Sequence, residues 1–89
     1  VIERELLVTN RLGLHARATA RLVQLLSGYR CNVTLTAKGR EVNAKSIMGV
    51  MLLAAGTGTT LSLRADGPDE AAAVTAVVEL FKRNFDEES

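Results

Sequence analysis

Val33, Leu35 and Ala37 occupy every second position of NVTLTA, and Leu61, Leu63 and Ala65 do the same in TLSLRA. Successive side chains of a strand point to opposite faces, so each segment reads as a strand with one apolar and one polar face. REVNA continues the pattern with Val42 and Ala44, and the intervening KGR supplies a tight glycine turn, which predicts a hairpin. The opening IERELLVTN sets Leu6 and Val8 against Glu5, Leu7 and Thr9, a fourth strand, with a loop over Asn10–Gly13. Four half-apolar strands cannot stand alone; something must cover their greasy side.

The period then changes in three other segments. From Ala16 to Ser27, Ala18, Leu22, Val23 and Leu26 fall at helical spacing, with Gly28 just past the end. The opposite stripe carries Arg17, Arg21, Gln24 and Ser27 beside the small Ala20, a solvated cationic face. SIMGVMLLAAG is a short helix opened by Ser46, a favoured N-cap type; Gly49 weakens it by about 1 kcal/mol relative to Ala. After the turn DGPDE a last helix is expected, with Pro68 near its first position and Asp69 and Glu70 in its first turn. Ala73, Val74, Val77, Leu80 and Phe81 form its apolar stripe, Lys82 and Arg83 suit its C-terminal end, and DEES is expected to fray.

The order is therefore β-α-β-β-α-β-α. Helices should cover one face of a mainly antiparallel four-stranded sheet whose Thr- and Ser-rich face stays open to water, an α+β two-layer sandwich. Eighty-nine residues leave room for a single domain, residues 1–89, and aromatic residues at 3% require an aliphatic core. Eleven basic against ten acidic residues give a formal charge of +1, too balanced for nucleic acid as the main partner.

One Cys and one His exclude an internal disulfide framework and a zinc set, so no metal or other cofactor is expected, and Cys31 reads as a small apolar filler. No signal peptide is apparent, and IMGVMLLAAG is far short of the ~20 residues a membrane helix needs. The glycosylation-like NVT at Asn32 is then a chance match, and a cytoplasmic setting without membrane insertion is expected. GTGTT at Gly56 lacks the spacing of a phosphate loop and reads as a turn into the fourth strand, and Asp66, Asp69 and Glu70 read as turn and helix-start residues.

RLGLHARATARL holds the only histidine, His15, at the helix start. Such a residue is ordinarily a surface group or a structural hydrogen bonder. Three neighbours point to chemistry. Gly13 permits a close backbone approach. The following helix exposes unpaired N–H groups and the positive end of its dipole, which suits an anion such as phosphate. Arg17 adds a planar donor fork matched to phosphoryl oxygens. Residues two apart do not share a helix face, so the pair requires His15 to cap the helix. A neutral imidazole is a nucleophile towards phosphorus. With no carboxylate or metal set beside it, the corner suits holding a phosphoryl group better than turning one over.

GLHARA, with AKSIMG further on, resembles the two signature motifs of the HPr family, the histidine-containing phosphocarriers of the bacterial phosphoenolpyruvate-dependent phosphotransferase system. The resemblance runs over essentially the whole chain and implies that family's open-faced β-sandwich. It implies that His15 takes phosphate from phosphorylated enzyme I through Nδ1 and passes it to enzyme IIA proteins, with Arg17 positioning and neutralising the group. Ala18 stands where many members carry Pro, which bears on the rigidity of the helix start more than on transfer.

By residue type Ser46 is a hydroxyl cap; the resemblance adds regulation, with an HPr kinase/phosphorylase modifying it and the added charge repelling an acidic partner. The second helix is too greasy to be wholly buried, and about half of its apolar residues are expected in the core. The resemblance implies a docking face for enzyme I and enzyme IIA made of Ala16, Arg17, Ala20, Gln24, Ser27, Ile47, Met48 and Met51, on a monomer. Two alternatives remain at this stage. A paralogue of the nitrogen-related regulatory phosphorelay is suggested by LF…FDEES, and a ferredoxin-like ligand-sensing domain shares β-α-β-β-α-β.

Overall fold

The computed structural model describes residues 1–86. The strands are β1 (Ile2–Leu7), β2 (Asn32–Ala37), β3 (Arg40–Asn43) and β4 (Thr60–Asp66); the helices are α1 (Ala16–Leu26), α2 (Ile47–Leu52) and α3 (Glu70–Lys82). A short turn with left-handed backbone follows at Asn84–Asp86. All of the pairings are antiparallel and the sheet order is β1-β4-β2-β3. The ferredoxin-like alternative falls here, because that fold places its first strand inside the sheet beside a parallel neighbour, whereas β1 is an edge.

Register explains why the alternation is so regular. Leu6 lies opposite Leu61, Val33 opposite Ala65, and Leu35 opposite Leu63. All six side chains are buried, so a slip of one residue would turn the whole set to solvent. Val42 is only half-buried because β3 is the other edge. The hairpin turn is Lys38–Gly39, both with positive φ (54° and 77°), the conformation that matches strand twist in a two-residue loop.

The apolar stripe of α3 is buried as its spacing predicts. Two expectations about helices are corrected. Val23 is half-buried, and Thr19 is buried in the core face of α1 in addition to Ala18, Leu22 and Leu26. A hydroxyl can be buried there because Thr19 Oγ1 donates to the Leu14 carbonyl at 3.2 Å. Pro68 lies outside α3, which begins only after Asp69 at the N-cap. Asp69 points its carboxylate across to the amides of Arg30 (2.8 Å) and Cys31 (2.9 Å), stitching the α1–β2 connection to the start of α3. Gly28 follows the end of α1 as expected, but without a left-handed turn.

Phe85 is buried against Phe81, with ring centroids 4.7 Å apart. Of the expected frayed tail, Asp86 belongs to the ordered turn, and residues 87–89 lie outside the described residues. Cys31 is buried and free, and burial pushes its thiol up, in keeping with a filler. No described helix is long and apolar enough to cross a membrane.

Candidate functional site

The loop before α1 is fixed from several sides. Asn10 is buried, and its Nδ2 donates to the Gly13 carbonyl at 2.7 Å. That carbonyl also accepts the His15 amide at 2.9 Å. Leu14 N–H donates to the Ala55 carbonyl at 2.8 Å, which ties the loop to the segment leaving α2. Gly13 has φ +66°, and a Cβ there would stand 2.6 Å from the Ala55 oxygen and 2.7 Å from Gly56 Cα. Both the dihedral and the contact demand glycine.

This frame sets His15 at the N-cap of α1 with extended backbone (φ −75°, ψ 179°). Its carbonyl accepts the Thr19 amide at 2.9 Å, while its side chain makes no capping bond to the helix and is half-exposed. Arg17 follows in the first turn and is exposed. That turn carries no acidic residue. The first N–H groups of a helix have no intrahelical acceptor, so their partial positive charge and the guanidinium share one end of α1, whose own first turn supplies no carboxylate. An anion held there meets backbone donors, a cation and an imidazole together.

Arg21, one turn further, behaves differently. It is half-buried and donates to the Phe85 carbonyl, so it serves the C-terminal turn instead of extending the cationic stripe towards solvent. Sequence reasoning missed this, and it missed Asn10. The signal for Asn10 was its residue type, since Asn at the head of a loop commonly bonds backbone a few residues on.

Ser46 is the N-cap of α2, and its Oγ accepts the Gly49 amide at 3.1 Å. Val50 and Leu53 are buried, while Ile47 (45%), Met48 (77%), Met51 (44%) and Leu52 (60%) are exposed. Ala16, Arg17, Gln24 and Ser27 are exposed on α1, and Ala20 is half-buried. The two helices pack against each other, so these residues can contribute to one surface. Leu52 and the loop residue Leu12 (64% exposed) add apolar area that the sequence did not assign. Among the described residues, no three His, Cys, Asp or Glu side chains come together to hold a metal ion.

The fold and the helix-start histidine define a class, a small open-faced sandwich that carries phosphate. A solved structure titled HPr-C-His from Thermoanaerobacter tengcongensis matches with a TM-score of 0.96 and 38% identity, covering 100% of both chains. The family model described as PTS HPr component phosphorylation site matches residues 2–83. A phosphocarrier protein HPr of Xylella fastidiosa is 61% identical over 89 residues, 100% of each chain, and one of Cupriavidus necator is 48% identical over 87 residues, 98% of each. The chain belongs to the HPr family, the phosphocarriers of the phosphotransferase system.

Proposed function

We propose that residues 1–89 form one carrier domain in which His15 accepts a phosphoryl group from phosphorylated enzyme I and delivers it to enzyme IIA proteins. The ring nitrogen Nδ1 attacks phosphorus, a P–N bond forms as the bond to the donor breaks, and the reverse sequence hands the group on. The observation that carries this reading is the half-exposed imidazole at the N-cap of α1, beside Arg17 and a first turn free of acids. Arg17 neutralises the phosphoryl oxygens, and the exposed faces of α1 and α2 dock the partners through Ala16, Ala20, Gln24, Ser27, Ile47, Met48 and Met51. The carrier acts in the cytoplasm as a monomer.

Incubation with phosphoenolpyruvate and enzyme I tests this by intact mass and phosphorus NMR. One acid-labile adduct is expected, abolished in His15→Ala and retained in Ser46→Ala. Arg17→Ala should fold normally and transfer at least about tenfold more slowly, the worth of one charge-assisted contact. Wild-type rates in that variant would remove Arg17 from the site.

A second layer concerns Ser46. Phosphorylation by an HPr kinase/phosphorylase would add roughly −1.5 to −2 charges at the docking face and weaken an acidic partner's grip. The motif AKSIMG supports this serine-regulated branch over the nitrogen-related one. Burial of Phe81 and Phe85 gives the aromatic residues of LF…FDEES a packing role that either branch would share.

A further inference from the structure

We infer that Arg40, on the β2–β3 hairpin, is a positioning residue for phosphoryl transfer at His15, acting through the segment that leaves α2. The inference rests on His15 being the phosphoryl acceptor. Helix α2 has six residues, too few to be stable without tertiary support, and its last carbonyls lack intrahelical donors. The Leu53 and Ala54 amides bond the Val50 and Met51 carbonyls, and the hairpin supplies donors to the Leu52 carbonyl and to Ala54 just beyond the helix. Arg40 Nη1 donates to the Leu52 carbonyl at 2.9 Å, and Lys38 Nζ to the Ala54 carbonyl at 3.3 Å. Arg40 stands opposite the buried Ala37, which places its stem on the helix-covered side of the sheet.

A cleft of about 230 Å³, lined by Ala37, Lys38, Arg40, Leu52, Leu53 and Ala54, separates hairpin from helix end. The cleft opens to solvent, and the Arg40 and Lys38 bonds to the Leu52 and Ala54 carbonyls join its two sides. Ala54 has φ +49°, a left-handed conformation that a non-glycine residue holds only when its surroundings enforce it. The next residue, Ala55, accepts the Leu14 amide at 2.8 Å and abuts Gly13. Leu52 to Ala55 thus carries hairpin bonds at one end and the loop that holds His15 at the other. Loosening the hairpin end lets the Ala55 carbonyl move, and with it the backbone that aims the imidazole.

The test compares wild type, Arg40→Met, which keeps the stem and removes the donors, and Arg40→Lys, which restores one donor. Single-turnover transfer from phosphorylated enzyme I is measured over a range of carrier concentrations, well below each protein's Tm. Arg40→Met should transfer roughly three- to tenfold more slowly at saturation with its half-saturating concentration little changed, and Arg40→Lys should recover most of the rate. Amide resonances of Leu14 and His15 should move together with those of Leu52 to Ala55 in Arg40→Met. Wild-type transfer in Arg40→Met would overturn the inference. So would a defect confined to half-saturation, which is a docking effect, or a rate loss that lysine leaves unrepaired. A wild-type protein that took up no phosphoryl group, or a His15→Ala protein that did, would overturn the acceptor reading itself.

Discussion

Gly13 shows how much one residue can decide. Its amide, its carbonyl and its missing side chain are all used, by the Asn10 carbonyl, by Asn10 and His15 as donors, and by Ala55 and Gly56 as close neighbours. Gly13→Ala should cost about 2 kcal/mol or more, since it combines a left-handed alanine with a backbone clash, and should also slow phosphorylation of His15. Urea unfolding and the enzyme I assay read the two effects separately. Asp69 is the second case. The amides of Arg30 and Cys31 favour its charged form and hold its carboxyl below the ordinary value of 3.8. A folded-state value below the unfolded one means that the contribution is complete above about pH 4 and fades as pH falls through the lowered value. Asp69→Asn should therefore be less stable at neutral pH and lose less stability on acidification, as thermal melts from pH 6 down to pH 2 would show.

At the scale of elements, α2 carries several jobs on six residues. Its amphipathic split was legible in part: the sequence showed that not every apolar side chain could be inside, and the structure sorted Val50 inward and Met48 outward. Ser46 was legible as a cap by type alone, and its bond to the Gly49 amide bears that out. Ser46→Ala should cost about 1 kcal/mol by chemical denaturation. Ser46→Asp should keep the fold, because Asp is an equally good cap, yet weaken enzyme I binding in calorimetry; unchanged affinity would remove the charge switch. The hairpin turn was legible from KGR. Its grip on the α2 exit was not, because a long cationic side chain at an edge strand can reach several acceptors and local sequence does not choose among them.

Across the whole molecule, the last described turn closes the structure. Phe85 is 1% exposed, packs on Phe81, and its carbonyl takes a bond from Arg21. Asn84, Phe85 and Asp86 all have positive φ, a conformation retained because burial and Arg21 together offset its strain. Phe85→Ala should cost about 3–5 kcal/mol, a large fraction of a small domain's stability, and shift the urea midpoint accordingly. The expected fraying covered Asp86–Ser89, of which Asp86 sits in the ordered turn and 87–89 lie outside the described residues; the charged residues beside Phe85 give no local sign that this aromatic will be buried.

The sequence alone determined the strands and helices, the apolar faces of the strands and of α3, and the histidine at a helix start with an arginine beside it. Those properties depend on residues two to four apart, and the alternation and the caps act at that range. Tertiary structure decided that β1 would be an edge, that Arg21 would turn inward to Phe85, that Asp69 would reach back to Arg30 and Cys31, and that the exit of α2 would hold the His15 loop. These contacts join residues tens of positions apart, and only the packing of helices on one sheet face brings such groups within hydrogen-bond distance.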